Sequence, residues 1–312
     1  MRTSERNQKM ETPGPLSHRR FTSFYSPRLP LTDRLLKQIR ELTWLMWQWL
    51  LNGSRPRALL VWPEMPSRRA ALYKVARSMG FELTNQFREN AVLGIRFEDK
   101  TEKLSTFDPP QKSSISWWNV ACNDIRKSTL EAAHRKVFGY GMAIDPTTYI
   151  GKIVVKSDEN AVHDGQVIQG PILAASLRSE SVYQLEIQNT DANGRHFDYR
   201  VVYIKGHIPV VYMKYKRMQT RFTNLTDDVL LLPDNQCFSM EEKGNMGRLA
   251  GQLGVDYAEF DVLRDARSGK IYVVDVNPTP WGPPAGLDAE QSEVAIKKMA
   301  EVFRQSILES NK

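Results

Sequence analysis

From residue 56 onward, short β-forming runs alternate with helical stretches, and this alternation limits the fold more than any other feature of the chain. The run RALLVW (57–62) reads as a buried strand, 67–79 has helical character, FELTNQ returns as a strand, and AVLGIRF (91–97) reads as another. Strand–helix–strand units of this length fold as a small parallel sheet covered by helices. A polar loop, DPPQKSS, closes this unit near residue 112. The rest is richer in strands. A helix is expected over 122–140, capped by Asn123 or Asp124, followed by strand, polar turn and strand over 151–168 and by strands at 182–187, 197–204 and 208–216. Ser239 and Glu242 form a capping-box pattern ahead of a helix at 240–253. A strand pair (257–263 and 271–276) and an amphipathic helix (289–309) complete the chain. The expected division is a basic arm plus Trp-rich helix over 1–55, a small α/β domain over 56–112 and a larger α+β domain over 113–312.

The composition, 41% hydrophobic and 25% charged, is that of a globular protein. The net charge of +7 is concentrated at one end: residues 1–40 hold nine Lys and Arg against three acids, a net of +6, leaving +1 for the other 272 residues. A near-neutral body without interleaved basic and aromatic residues argues against a nucleic-acid partner. Cys122 and Cys237 fit neither a C-x-x-C nor a zinc spacing, and no secretory signal is visible, so a cytoplasmic location is expected. A helix is expected from about Arg34 to Leu51, with Thr32 and Asp33 as caps. Its second half, LTWLMWQWLL, is too short to span a bilayer. It either docks on the body or, with the arm, makes residues 1–51 a peripheral contact for a membrane surface or a protein partner.

The chemistry is most legible at the last strand pair. Asp and Asn are poor strand formers, yet Asp275 and Asn277 end the run IYVVDVN and share one strand face. On the preceding strand Glu259 and Asp261 also share a face, and the hairpin conformation decides which of them opposes Asp275. Oxygen ligands this dense suit Mg2+ or Mn2+, completed by phosphate and water. Lys156 ends the strand KIVV beside a turn containing Asn160, His163, Asp164 and Gly165, where a lysine can reach phosphate oxygens. Asp198 with Arg200, and Lys214 with Lys216 beside Arg217, add charged pairs on strand faces.

The order of these features over roughly 57–305 resembles the ATP-grasp enzymes. That resemblance implies an α/β (α+β) architecture: a small N-terminal pre-ATP-grasp domain, then two α+β subdomains clasping a nucleotide. It implies ATP and Mg2+ as cofactors. Lys127 in NDIRKS and Lys156 would contact the nucleotide, and Gln184, Leu185, Glu186 and Ile187 in VYQLEI would form the hinge that meets adenine. Asp198, Arg200 and Arg217 match the family's D-x-R…R strand pair, Asn224 in RFTNL matches an asparagine near the phosphates, and Lys214 falls in the same nucleotide set. Asp261, Asp275 and Asn277 would hold the metal, with Lys156, Arg200 and Arg217 as catalytic cations. Two departures are visible: the phosphate loop has only Gly165 where many members are glycine-rich, and Asp275 stands where Glu is common. The implied activity is carboxylate–amine or carboxylate–thiol ligation of a small-molecule acceptor through an acyl phosphate. A small-molecule kinase acting on an alcohol or polyol is the alternative, raised by Asp275, and a non-catalytic nucleotide-binding scaffold is the third reading.

Overall fold

Strands β1 (Ala58–Pro63), β2 (Glu82–Thr84) and β3 (Ala91–Phe97) form because Leu59, Val61, Leu93 and Ile95 are fully buried between layers. The chain is described by a computed structural model covering residues 31–52, 56–109, 115–191, 193–217, 226–232 and 237–310. The expected arm over 1–30 and Asn224 lie outside these residues. The first sheet has the order β2-β1-β3-β4 and is parallel throughout, as strand–helix alternation requires. Its last member, β4 (Trp117–Trp118), lies beyond the boundary expected at 112. Gly94 admits it: a Cβ there would meet the Trp117 indole at 2.3 Å. Helix α2 (Ala71–Met79) covers the sheet.

The second sheet, of order β10-β9-β8-β11-β12, is antiparallel. It comprises β8 (His196–Ile204), β9 (His207–Lys216), β10 (Asp228–Leu232), β11 (Tyr257–Arg264) and β12 (Ile271–Asn277). Its strands alternate between two cores. Val201, Val211, Ala258, Phe260 and Val273 pack on one side with α3 (Lys127–Phe138) and α4 (Met240–Leu253). Val202, Ile204, Val210, Tyr212 and Tyr257 pack on the other with α5 (Ala289–Ser310) and the first sheet. The capping box at Ser239 and Glu242 is formed, each side chain bonded to the other's backbone N–H. Helix α3 starts at Lys127, later than expected, because Asp124 turns back to bond Arg126 and Thr129, while Asp158 from a neighbouring loop accepts from Ser128 N and Oγ and so caps the helix.

A third, small sheet of order β6-β5-β7 contains β5 (Gly151–Ser157), β6 (Gln166–Gly170) and β7 (Ser181–Leu185). Helix α1 runs over Leu31–Asn52, beginning ahead of the expected caps, and meets the body through Trp44, whose ring lies 3.6 Å from the Arg77 guanidinium carbon on α2.

Phe303 of α5 joins the first two sheets. It is fully buried, with its ring 5.2 Å from both Trp118 and Tyr257. Phe303→Ala is expected to cost about 3–5 kcal/mol, the range for deleting a large buried aromatic. Urea denaturation checks this, and a cost under about 1 kcal/mol would show that α5 is not what joins the layers.

Candidate active site

One face of the second sheet changes character along its strands. On β8 it passes from Ile204 and Val202 to Arg200 and Asp198, on β9 from Val210 and Tyr212 to Lys214, and on β11 from Tyr257 to Glu259 and Asp261. The apolar half is core; the charged half is the floor of the site. Register places Asp261 directly opposite Asp275, and Glu259 opposite Asn277, so both candidates on β11 face this floor and Asp261 is the one that meets Asp275. A β-bulge makes this possible. Asp261 pairs with Asp275 while Val262 pairs with Val273, leaving Val274 as the extra residue on β12. Val274 and Asp275 therefore point to the same side, while Val273 and Val276 point into the opposite core. Bulges re-aim side chains in this way beside functional sites.

The floor is an ion network. Arg200 Nε lies 3.1 Å from Asp261 Oδ1 and 3.4 Å from Glu259 Oε2. Lys214 Nζ lies 3.0 Å from Asp198 and 3.9 Å from Asp261, and Lys216 Nζ lies 3.7 Å from Asp198. Burial drives the Glu259 carboxyl up to about 7, with Arg200 opposing and Asp261 reinforcing the shift. Among the described residues its carboxylate oxygens accept no hydrogen bond, and the buried hydroxyls of Tyr212 and Tyr257 make none. Gly282 closes over it: a Cβ there would come within 3.2 Å of Glu259 Oε1. Asp261 is held well below the usual carboxylate range: burial opposes this, but Arg200 and Lys214 outweigh it. Asp275 moves upward, through burial first and the Asp261 charge second.

Two carboxylates face to face across an antiparallel pair repel one another. Asp275 Oδ1 is buried and accepts no hydrogen bond among the described residues. Asn277 is fixed at the rim, its Oδ1 accepting from Thr279 N (2.9 Å), and the single Thr279 hydroxyl proton is shared between Asn277 Oδ1 (3.2 Å) and Asp99 Oδ1 (3.1 Å). Among the described residues no three Asp, Glu, His or Cys side chains form a metal site by themselves. A divalent ion would rest first on Asp275, with Asp261 opposite it and phosphate supplying the rest, and Asn277 Oδ1 would join them by giving up a Thr279 bond. The orphaned Asp275 oxygen and the all-oxygen donor set fit a hard cation.

Opposite this floor stands the small sheet. Lys156 of β5 is partly buried and pushed down to about 8, chiefly by burial and then by Lys127, while Asp275, Glu131 and Asp261 hold it up. Lys127, at the start of α3, donates through Nζ to Glu159 O at 2.6 Å and acts electrostatically on both Lys156 and Asp275. Beside them is an apolar cluster of Met142, Ile187 and Tyr272, with Leu185 and Val274 packed against it. The expected hinge runs along this cluster. Gln184 and Ile187 are buried, Leu185 N donates to Met142 O (2.9 Å), and Glu186 lies 3.8 Å from Lys152. The site thus brings together a cation pair, an acidic pair and an apolar cluster between two antiparallel sheets.

No protein-family profile matches the chain, and no curated protein matches it in sequence. Solved structures do match. The ATP-grasp ligase PsnB complexed with a minimal precursor superposes with a TM-score of 0.50 at 11% identity, over 80% of this chain and 98% of PsnB. PsnB with a phosphomimetic variant of that precursor, Mg and ADP gives 0.50 at 12% identity, over 82% and 99%. The chain has the ATP-grasp fold. A D-alanine–D-alanine ligase from Bacillus anthracis is more distant, with a TM-score of 0.45 at 11% identity over 81% of this chain and 96% of its own.

The ATP-grasp cleft gathers Lys127, Lys156, Asp198, Arg200, Lys214, Asp261, Asp275 and Asn277. It does not gather Arg217, which stands just past the end of β9 with its side chain 78% exposed and its Nε 3.3 Å from Asp227. An alternating strand would have kept it off the floor in any case, since Lys214 and Lys216 already occupy that face. Trp281 is 59% exposed at the mouth of the cleft, with the Arg69 guanidinium carbon 5.6 Å from its ring centre. Sequence reasoning missed Glu131. This buried α3 carboxylate accepts from Met142 N and Ala143 N and so fixes the strip that enters the apolar cluster. A glutamate inside a helical run carries no signal that its partners are backbone amides of a later loop.

Lys156 carries a pH consequence. Its ammonium is charged below about 8 and neutral above. Nucleotide affinity is therefore expected to fall by about tenfold between pH 7 and 9, while Lys156→Arg flattens the profile. Titration calorimetry across that range checks it, and an unchanged affinity in the parent protein would remove Lys156 from the phosphate site.

Proposed function

We propose that the protein is a Mg-ATP-dependent ligase that joins a carboxylate to an amine or thiol through an acyl phosphate. The observation that carries this reading is the placement of Lys156 on one sheet against Asp261 and Asp275 on another, with an apolar cluster alongside. In this reading the adenine lies against the apolar cluster and Gln184, Leu185, Glu186 and Ile187. Lys127 and Lys156 then hold phosphate oxygens, and Lys214 with Asp198 keeps the floor polar. A bound magnesium ion would offset charge on the transferring phosphoryl group. Lys156 does the same from the opposite wall, where a cation in a water-poor site is worth far more than in bulk solvent. Arg200 orients the Asp261 carboxylate.

The chemistry balances in two displacements. A carboxylate oxygen of the acceptor attacks the γ-phosphorus, the bond to the β-phosphate oxygen breaks, and ADP leaves. The amine or thiol then attacks the acyl carbon, inorganic phosphate departs, and the nucleophile's proton passes to solvent or a base. Because PsnB was solved with a precursor, a precursor-type acceptor joins small carboxylates among the substrates to be screened.

Titrating a nonhydrolysable ATP analogue with and without Mg2+ tests the nucleotide site. Incubating the protein with ATP, a metabolite pool and hydroxylamine tests the chemistry. A hydroxamate formed alongside ADP is the result expected of the ligase. ADP formation without hydroxamate would assign the site to an alcohol kinase, and Mg-dependent binding without ADP formation would make it a scaffold.

A further inference from the structure

Helix α1 is turned the wrong way for a helix that only packs. Trp44, Leu45 and Gln48 are the partly buried positions in its described half, and Trp44 and Leu45 line a hollow with Tyr73, Arg77 and Phe81. The more apolar side faces out. Leu36, Ile39, Leu42, Met46, Trp49 and Leu50 recur at three- and four-residue steps and are 53–61% exposed. They form a continuous stripe along one side of the helix. A docked surface helix normally presents the reverse arrangement, apolar side inward. No described helix is long and apolar enough to cross a membrane.

We propose that the outer face of α1 seats the protein on an anionic lipid bilayer, lying in the interface with the stripe inserted among the acyl chains. Charge complementarity selects this occupant. The stripe belongs to the segment 1–52, which holds nine Lys and Arg against four acids, a net charge of +5, whereas the rest of the chain carries +2. Arg40 is exposed beside the stripe. Basic residues next to an apolar helix face are drawn to phosphatidylserine-type headgroups. Tryptophan favours the headgroup boundary. The same charge disfavours the other occupants. Pairing α1 with a second copy would bring two basic segments together, and residues 1–30 carry six Lys and Arg of their own.

The test is co-flotation of the full chain with vesicles of phosphatidylcholine alone or mixed with phosphatidylserine, alongside tryptophan quenching by brominated lipid. The expected result is flotation at least about tenfold stronger with phosphatidylserine, weakened by salt, and quenched fluorescence. A Leu42→Glu, Met46→Glu, Leu50→Glu variant alters exposed positions only, so it should melt as the parent does yet float at least about tenfold less. Absence of flotation of the folded full chain, or equal flotation of the triple variant, overturns the proposal. A parent dimer that the triple variant dissolves, without vesicle binding, assigns the stripe to a second copy. Vesicle binding seen only after residues 1–30 are removed assigns it to the arm.

Discussion

Asp275→Asn is expected to abolish magnesium-dependent nucleotide binding while leaving the protein at least as heat-stable as the parent. The two outcomes have one cause. Asp275 sits directly opposite Asp261 and has a buried Oδ1 with no hydrogen-bond donor among the described residues, and its proton affinity is raised by burial and by Asp261. For the folded chain alone its charge is a cost, because burial and the facing Asp261 outweigh the pull of Lys127, Lys156 and Arg200. The amide keeps the shape and removes the charge, so the melting temperature should hold or rise. A metal ion, however, loses an anionic ligand. Disturbing even an outer-sphere partner of a ligand typically costs 10–100-fold, so losing the ligand itself should cost on the order of a hundredfold or more in Mg-dependent affinity and turnover. Calorimetry with and without Mg2+, beside a thermal melt, separates the two effects. If Asp275→Asn binds within about threefold of the parent, the carboxylate pair is not a metal site.

Arg200→Met is expected to destabilise the protein by about 3 kcal/mol, the lower end for removing one partner of a buried ion pair. Arg200 is the shared cation of Asp261 and Glu259. Methionine retains the apolar stem but leaves both carboxylates behind. Two things soften the loss: Lys214 remains 3.9 Å from Asp261, and Glu259, already near 7, can take up a proton. The second gives the pH dependence. Glu259 is raised from an ordinary value of 4.5 to about 7, so its contribution to stability is greatest below 4.5 and is lost as pH rises through 7. Without the guanidinium this loss steepens, and Arg200→Met should be hurt more at pH 8 than at pH 6. Adding Glu259→Gln should recover part of the difference at pH 8. Urea denaturation at both pH values checks this. A cost under about 1 kcal/mol with no pH dependence would show that the network does not hold the floor together.

What sequence alone determined is local. Short β-forming runs marked β1, β3, β5, β8, β9, β11 and β12, and the Ser239–Glu242 pattern marked the start of α4, because strand and cap preferences are set within a few residues. Strand alternation also put Asp275 and Asn277 on one face. What only tertiary structure decided is which faces meet. The bulge at Val274 sets Asp261 against Asp275 and leaves Glu259 beneath Gly282, and no propensity encodes a single extra residue in one strand of a pair. Arg217 follows Lys216 in the sequence yet stands on Asp227, because a one-residue step along a strand reverses the face. Helix α1 was legible as a helix, but its rotation on the body was not. That angle depends on Trp44 finding Arg77, a long-range contact between two surfaces that periodicity describes only one at a time.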